Sequence, residues 1–505
     1  MKTKKTLLVM AVLLIAMVSA VWAGGSKDNA AAAGGALPIK MTVRLFDQVP
    51  DMNNAYWKAY QEKAGVKLDV TWVPDGDYRT KLNLILTSND LPEVLVANNS
   101  NDLNNPGFIT AVQNGAFWDL TDVLGDFSKY PNLKNNVAPD SWRTSRVLGR
   151  IYGVPQSVPR VQGAPIIRKD LVDKAGLKMP TTMDELLDVL EAIVKQNPNM
   201  IGLASKQDMF INANGGLSAA FDNVRIYKNA EGGIVHPKLA PAFTDFIVWL
   251  NKAYKRGLLS KEFAVMKPTQ ATELFQSGAA VLFINESARW CYPFTQLLKQ
   301  AGIPNAEAQL IPPLEGKPGF YSTAGGTGVV DSMFISKKVP EAKMRQILDY
   351  FERTTTQEYY EITTYGFEGV HFNKDAGGYR VATPQRDKDM GSSAPWQVLP
   401  LTYYPYMKLD STAAPEAYNI AERKIFDDYG YEKKAITDTF SLLTSAKWVQ
   451  VWPRYEQTWA ANCAKAVVGD ITIAEFQAYV DSINNNADVK AAYQEFAKMY
   501  QDMGL

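Results

Sequence analysis

At 505 residues the chain exceeds one hydrophobic core of ordinary size, so at least two lobes are expected. Its 46% hydrophobic and 21% charged content is that of a soluble globular protein. The 53 basic and 53 acidic residues balance, and loss of Lys2, Lys4 and Lys5 with an amino-terminal leader makes the remainder mildly acidic. That argues against a nucleic-acid binder, which would carry a basic stripe or patch.

The amino terminus reads as an export signal. Three lysines precede the apolar run Leu7 to Val18, and Val21-Trp22-Ala23 offers small residues where a signal peptidase cuts, so cleavage after Ala23 is expected. The run is too short for a spanning helix of about 20 residues. No cysteine stands at the expected cleavage point, which fits free periplasmic residence better than a lipid anchor. Residues 24–36 form a Gly/Ala/Ser-rich leader.

Strand and helix then alternate. Pro38 to Phe46 reads as a first strand, Asn54 to Ala64 as a helix and Lys67 to Val73 as a second strand. Tyr78 to Ser88 reads as a helix, and Pro92 to Ala97 as a third strand. A β-α-β-α-β order predicts a parallel sheet with ligands bound beyond the carboxyl ends of its strands. Those ends carry Asp47-Gln48, Pro74-Asp75 and Asn98-Asn99, all polar as a cleft wall would be.

From Gly149 to Gln196 the order is strand, turn, strand, turn, capped helix. Gly149 to Pro155 reads as a buried run ending at its proline, and Ala164 to Arg168 as a second one. Gly176 suits the left-handed end of a short helical turn. Thr182 and Glu185 form a capping box, and Met183, Leu186, Leu187, Leu190, Ile193 and Val194 behind them give one apolar helical face. Further on, Phe334 to Lys338 reads as a strand returning to the first lobe. Thr472 with Glu475 and Ile471 with Phe476 cap and staple a late helix.

Cys291 and Cys463 are either a disulfide or two buried thiols. His236 and His371 stand far apart with no ligand spacing around them, so no metal site is expected.

The segment Gly149-Arg-Ile-Tyr-Gly-Val-Pro155, with Ile167 to Asp170, Gly176-Leu177 and Pro180 to Glu185, resembles the family 1 extracellular solute-binding proteins of carbohydrate ABC importers. Leu82 to Glu93 and Phe275 to Leu282 are similar to further motifs of that family. Tyr365 to His371 resembles a motif of its large, oligosaccharide-lipoprotein-like branch. The resemblance implies an α/β, two-lobed periplasmic binding protein fold, each lobe a mainly parallel sheet flanked by helices, joined by hinge crossovers. Residues 37–155 with about 332–390 would form one lobe, and 156–331 with about 391–505 the other. It also implies a protein that closes on an oligosaccharide and hands it to permease subunits, works as a monomer, and needs no cofactor.

A sugar presents apolar C–H faces and a rim of hydroxyls, so aromatic platforms and polar side chains are sought together. Trp290 follows the strand Ala279 to Asn285 where maltose-binding relatives place a stacking tryptophan; the other reading is a core residue. Asn98 and Asn99, like Asp47 and Gln48, are ligand contacts or plain turn residues. Gln156 and Arg160 either reach the cleft or coat the hinge. Trp396, Tyr403 and Tyr404 line extra subsites or simply pack. Many members of the branch carry a calcium loop where this chain has Gln196 to Met200, which contains no carboxylate, so that site is read as lost. A secreted carbohydrate-active enzyme and a peptide receptor on the same fold are the alternatives. Gly325 to Gly328 lacks the rest of a phosphate-binding loop, and no Gly-x-Ser-x-Gly elbow occurs.

Overall fold

Alternation puts Ile39, Met41, Val43 and Leu45 on one face of the first strand, and all four are buried. In the computed structural model, residues 35–503 are described except 100–101, 104, 162, 206–215, 285–286 and 392. The expected export signal and nearly all of the leader lie outside the described residues. From Pro38 onward the chain forms one unit.

Two sheets carry the fold. In chain order their strands are β1 (Leu37–Leu45), β2 (Val66–Pro74), β3 (Val94–Asn98), β4 (Gly153–Ser157), β5 (Ile166–Arg168), β6 (Ile201–Ser205), β7 (Ala280–Ile284), β8 (Ala308–Leu310) and β9 (Val329–Ile335). The first sheet has the order β2-β1-β3-β9-β4, and the second β8-β5-β7-β6. The helices Ala55–Ala64 and Asp75–Ser88 connect β1 to β2 and β2 to β3, as the sequence predicts.

The pairing is mixed rather than mainly parallel. β1 runs parallel to β3, but β9 is antiparallel to both β3 and β4. In the second sheet β7 is parallel to β6, and β5 is antiparallel to β7 and to β8. The reason is topological: β4 and β9 are the strands by which the chain leaves and re-enters the first sheet. β4 also continues through Pro155 to Ser157 instead of ending at the proline. It lies at the sheet edge, where the missing N–H of proline is tolerated.

The helix Met183–Gln196 begins as its sequence predicts. Thr182 Oγ1 accepts from Glu185 N at 3.1 Å, and a Glu185 carboxylate oxygen accepts from Thr182 N at 3.2 Å. Its face of Met183, Leu186, Leu187, Leu190 and Ile193 is buried in a core shared with Phe476 and Val480 of the helix Ile473–Asn484. That late helix carries the same box, Thr472 with Glu475. Cys463 belongs to this core, whereas Cys291 packs in a separate cluster with Phe275, Phe283 and Phe294. Both thiols are buried in these separate clusters and not joined to each other, so the disulfide alternative is not realised. His236 is stacked on Trp448 at 4.2 Å between ring centroids, and burial lowers its pKa well below the usual value.

Glu422, on the helix Glu416–Tyr429, is buried against the cluster that holds Cys291. Burial pushes its carboxyl up to about 7, opposed by a 2.8 Å hydrogen bond from Tyr418 Oη and reinforced by the charge of Glu307. Its Oε2 has no hydrogen-bond partner among the described residues. The folded carboxyl therefore holds a proton that the unfolded chain, with a value near 4.5, has already released. This contribution to stability is fully present below the unfolded value and is lost as pH rises through the folded one. Glu422→Gln is expected to gain on the parent protein as pH rises from about 5 to about 7, by at most about 1.4 kcal/mol per pH unit. Urea unfolding of both proteins across that range reads the difference; a gap independent of pH would contradict it.

Candidate functional site

Strand ends build the cleft. Asp47 and Gln48 follow the carboxyl end of β1, and Trp290 follows that of β7 by way of the 3₁₀ turn Ala288–Trp290. Together with Trp396 they line a cleft of about 560 Å³, a size typical of small-molecule sites. The ring of Trp290 stacks on Phe294 at 5.8 Å, which leaves the indole half-buried at the cleft wall. Asp47 is anchored: its carboxylate accepts from Ser393 N at 3.1 Å and from Ser393 Oγ at 3.2 Å. Gly391 makes this approach possible, since a Cβ there would lie 2.8 Å from Asp47 Oδ2, and its φ of +62° also favours glycine.

Trp396 is held from the first sheet. Gln156, fully buried on β4, donates through Nε2 to the carbonyls of Trp396 at 2.8 Å and Leu399 at 2.9 Å. Tyr350 Oη donates to Val398 O at 2.8 Å, and Thr402 Oγ1 to Thr356 O at 3.0 Å. Gln156 thus supports the wall from behind and does not line the cleft.

The other sequence-derived candidates are likewise not among the residues that line this cleft. Asn98 donates from Nδ2 to Val330 O at 2.8 Å and Asp331 Oδ1 at 3.0 Å. Asn99 donates to Ser145 Oγ and accepts from Ser332 Oγ. Both asparagines are buried. Arg160 donates to Ala435 O at 3.2 Å and Thr437 Oγ1 at 2.9 Å. Tyr403 N donates to Asn136 O. Tyr404 packs its ring on Tyr360 at 4.8 Å and donates to Asp410 Oδ2 at 3.0 Å, and both of those partners line the cleft.

Several lining groups carry no local sequence signal. Tyr360, Thr363 and Thr364 come from the helix Gln357–Tyr365, and Arg386 to Gly391 from the helix Pro384–Met390 and its end. Arg386 is pinned to Thr364 O, Gly391 O and Asp387, while Asp410 takes a two-pronged ion pair from Arg423 at 2.8 and 2.6 Å. Burial raises the Asp410 carboxyl against the pull of that arginine. Among the described residues no group of three or more His, Cys, Asp or Glu could hold a metal ion. The helix Met183–Gln196 and β6 are joined by residues 197–200 alone.

Such a cleft can hold a ligand with apolar faces and polar edges. A family model described as bacterial extracellular solute-binding protein matches residues 50–358. The polygalacturonan/rhamnogalacturonan-binding protein YtcQ of Bacillus subtilis strain 168 is 26% identical to this chain, and the match covers 98% of each. Among solved structures, the alginate-binding protein AlgQ2, determined without calcium ion, gives a TM-score of 0.63 at 18% identity, over 93% of this chain and 99% of that one. A solute-binding protein associated with a human-milk-oligosaccharide ABC transporter of Bifidobacterium longum infantis gives 0.66 at 15% identity, over 93% and 99%. At these identities the structural likeness is one of fold, the two-lobed α/β arrangement.

Replacing Gln156 by leucine removes the donor to the carbonyls of Trp396 and Leu399. Gln156→Leu is expected to lower the unfolding free energy by about 2 kcal/mol, measured by urea denaturation. A change within about 0.5 kcal/mol would mean that the Trp396 segment is held without it.

Proposed function

Since this chain belongs to the bacterial extracellular solute-binding proteins, we propose that it receives an oligosaccharide in the cleft and delivers it to the permease of an ABC importer. The carrying observation is the pair of half-buried tryptophans, Trp290 and Trp396, on a cleft whose lining mixes apolar groups such as Val49, Met390, Leu401 and Met407 with hydrogen-bonding and charged ones. Indoles stack on the C–H faces of sugar rings, and the polar rim takes the hydroxyls. Relatives along the chain's length include a binder of polygalacturonan and rhamnogalacturonan.

In this reading Trp290, Trp396, Asp47 and Gln48 contact the sugar. Asn98, Asn99, Gln156, Arg160, Tyr403 and Tyr404 keep the wall and hinge in shape. The lobes are residues 37–155 with about 332–390, and 156–331 with about 391–505, with β4 and β9 extending the first sheet's share to Ser157 and back to Val329. The 394–402 segment nevertheless bonds to Gln156, Tyr350 and Thr356, which favours assigning it to the first lobe. The protein is exported and released to the periplasm after cleavage at about Ala23. It acts as a monomer by recognition alone, with no covalent chemistry. A ligand touching both lobes favours the closed state through its differential affinity.

Titration calorimetry with a panel of neutral and acidic oligosaccharides tests this. One sugar class is expected to bind and to be recovered intact. Trp290→Ala and Trp396→Ala should each weaken it about tenfold, as loss of a stacking contact worth roughly 1.4 kcal/mol requires. Absence of binding to every sugar by folded protein, or turnover at low protein concentration, would sink the reading.

A further inference from the structure

The segment Tyr365-Gly-Phe-Glu-Gly-Val-His371 leaves the end of the helix Gln357–Tyr365 and folds back so that His371 is sealed inside. Gly366 allows this fold. Its φ is +84°, and a Cβ there would lie 2.5 Å from the Cβ of His371. His371 Nδ1 accepts from Phe367 N at 3.0 Å, so the proton of the imidazole is on Nε2. Nε2 then donates to Asp389 Oδ2 at 3.3 Å. Tyr56 meets the imidazole edge-on at 5.6 Å between ring centroids, and Phe367 packs on it at 5.9 Å.

Asp389 lines the cleft from the last turn of the helix Pro384–Met390. Gln385, one turn earlier, donates from Nε2 to its Oδ1 at 2.9 Å. Asn54, which caps the helix Ala55–Ala64, donates from Nδ2 to its backbone carbonyl at 2.8 Å. Main chain and carboxylate are therefore both pinned, by three separate segments. A carboxylate offers about four acceptor sites. Two are used here, one on each oxygen, and 7% of the side chain stays exposed. Among the described residues no lysine or arginine pairs with Asp389, whereas Asp410 on the same lining takes Arg423. Asp51 and Asp387 also line the cleft, but both are exposed, and water competes for them.

We infer that Asp389 accepts from a pair of neighbouring hydroxyls on the bound sugar, and that His371 is the positioning residue that sets the plane of its carboxylate. The inference rests on the oligosaccharide reading above. Two adjacent hydroxyls donate one to each oxygen only when that plane is held, and the last torsion of a free aspartate is broad. One donor on each oxygen, His371 behind Oδ2 and Gln385 behind Oδ1, holds it. An ionised acceptor makes hydrogen bonds roughly twice as strong as a neutral one. A ligand lacking one of the hydroxyls leaves a desolvated carboxylate short of a partner, which makes such a site selective. The glycine, the Phe367 amide and the histidine of the segment thus act together on a residue 18 positions beyond His371.

The test is calorimetry on the full chain with cellotriose, maltotriose, mannotriose and trigalacturonate, together with singly deoxygenated forms of whichever trimer binds. Asp389→Asn is expected to weaken that trimer by about tenfold or more. At least one deoxygenated form should bind the parent protein about tenfold more weakly than the trimer, yet bind Asp389→Asn no worse than the trimer does. His371→Leu should also weaken the trimer about tenfold, and His371→Gln, which keeps an N–H donor, should recover part of the loss. The chain has two histidines, so nitrogen-15 spectra of histidine-labelled protein resolve both rings, with the signal lost in His371→Gln giving the assignment. The His371 ring is expected to carry its proton on Nε2 and to shift in Asp389→Asn and on addition of the trimer. Circular dichroism and thermal unfolding verify that each variant is folded, and Asp389→Asn with the nitrogen spectra carries the test if His371→Leu is not. Trimer affinity within two- to threefold of the parent in Asp389→Asn would overturn the inference and leave the oligosaccharide reading standing. A proton on Nδ1 of His371, or unchanged affinity in folded His371→Leu, would overturn the positioning role. Binding of no trimer by folded protein would overturn both readings.

Discussion

The buried carboxylate of Asp331 is the constraint on which the cleft depends. It is fully buried at the start of β9, where its Oδ1 accepts from Arg44 Nη2 of β1 at 2.5 Å and from Asn98 Nδ2 of β3 at 3.0 Å. Arg44 also reaches Asp75 at 2.9 Å, just beyond β2. A charge in that position is costly unless paired and hydrogen-bonded. Its partners come from the carboxyl ends of neighbouring strands, so the interaction registers those ends against the returning strand. Asp47 and Gln48 emerge three and four residues after Arg44, and the cleft edge follows from that register.

Behind this junction the energetics are conventional. The second sheet lies in a large apolar core that takes in the capped helices Met183–Gln196 and Ile473–Asn484 and an aromatic group of Trp448, Trp452, Trp459 and His236. That core makes a rigid backing for β7 and for the turn that presents Trp290. Functional groups placed on rigid elements hold their geometry better than groups on free loops.

Much of this was legible in the chain. The β-α-β-α-β run and both capping boxes depend on neighbours within a few residues, where periodicity and caps carry the information, whereas the returning strand, expected over Phe334 to Lys338, runs from Val329 to Ile335 and ends where it was expected to begin. Trp290, Asp47 and Gln48 were legible because they follow strands whose carboxyl ends define a cleft. Asn98 follows the same rule yet turns inward, because the buried carboxylate of Asp331, 233 residues away, accepts from its amide as well as from Arg44. Gln156 is similar: its role depends on carbonyls more than 200 residues distant. The mixed pairing was hidden for a related reason, since strand direction at a crossover depends on where the chain returns.

The attachment of the two tryptophans has a mechanical consequence. Trp396 is fastened through Gln156 to β4 and through its neighbours to Tyr350 and Thr356, all on the side of the first sheet. Trp290 is fastened to the second, following β7 and lying on Phe294. In the proposed closure the gap between the two indoles would therefore follow the angle between the sheets, as the gap of a caliper follows its jaws, and ligand thickness would set that angle.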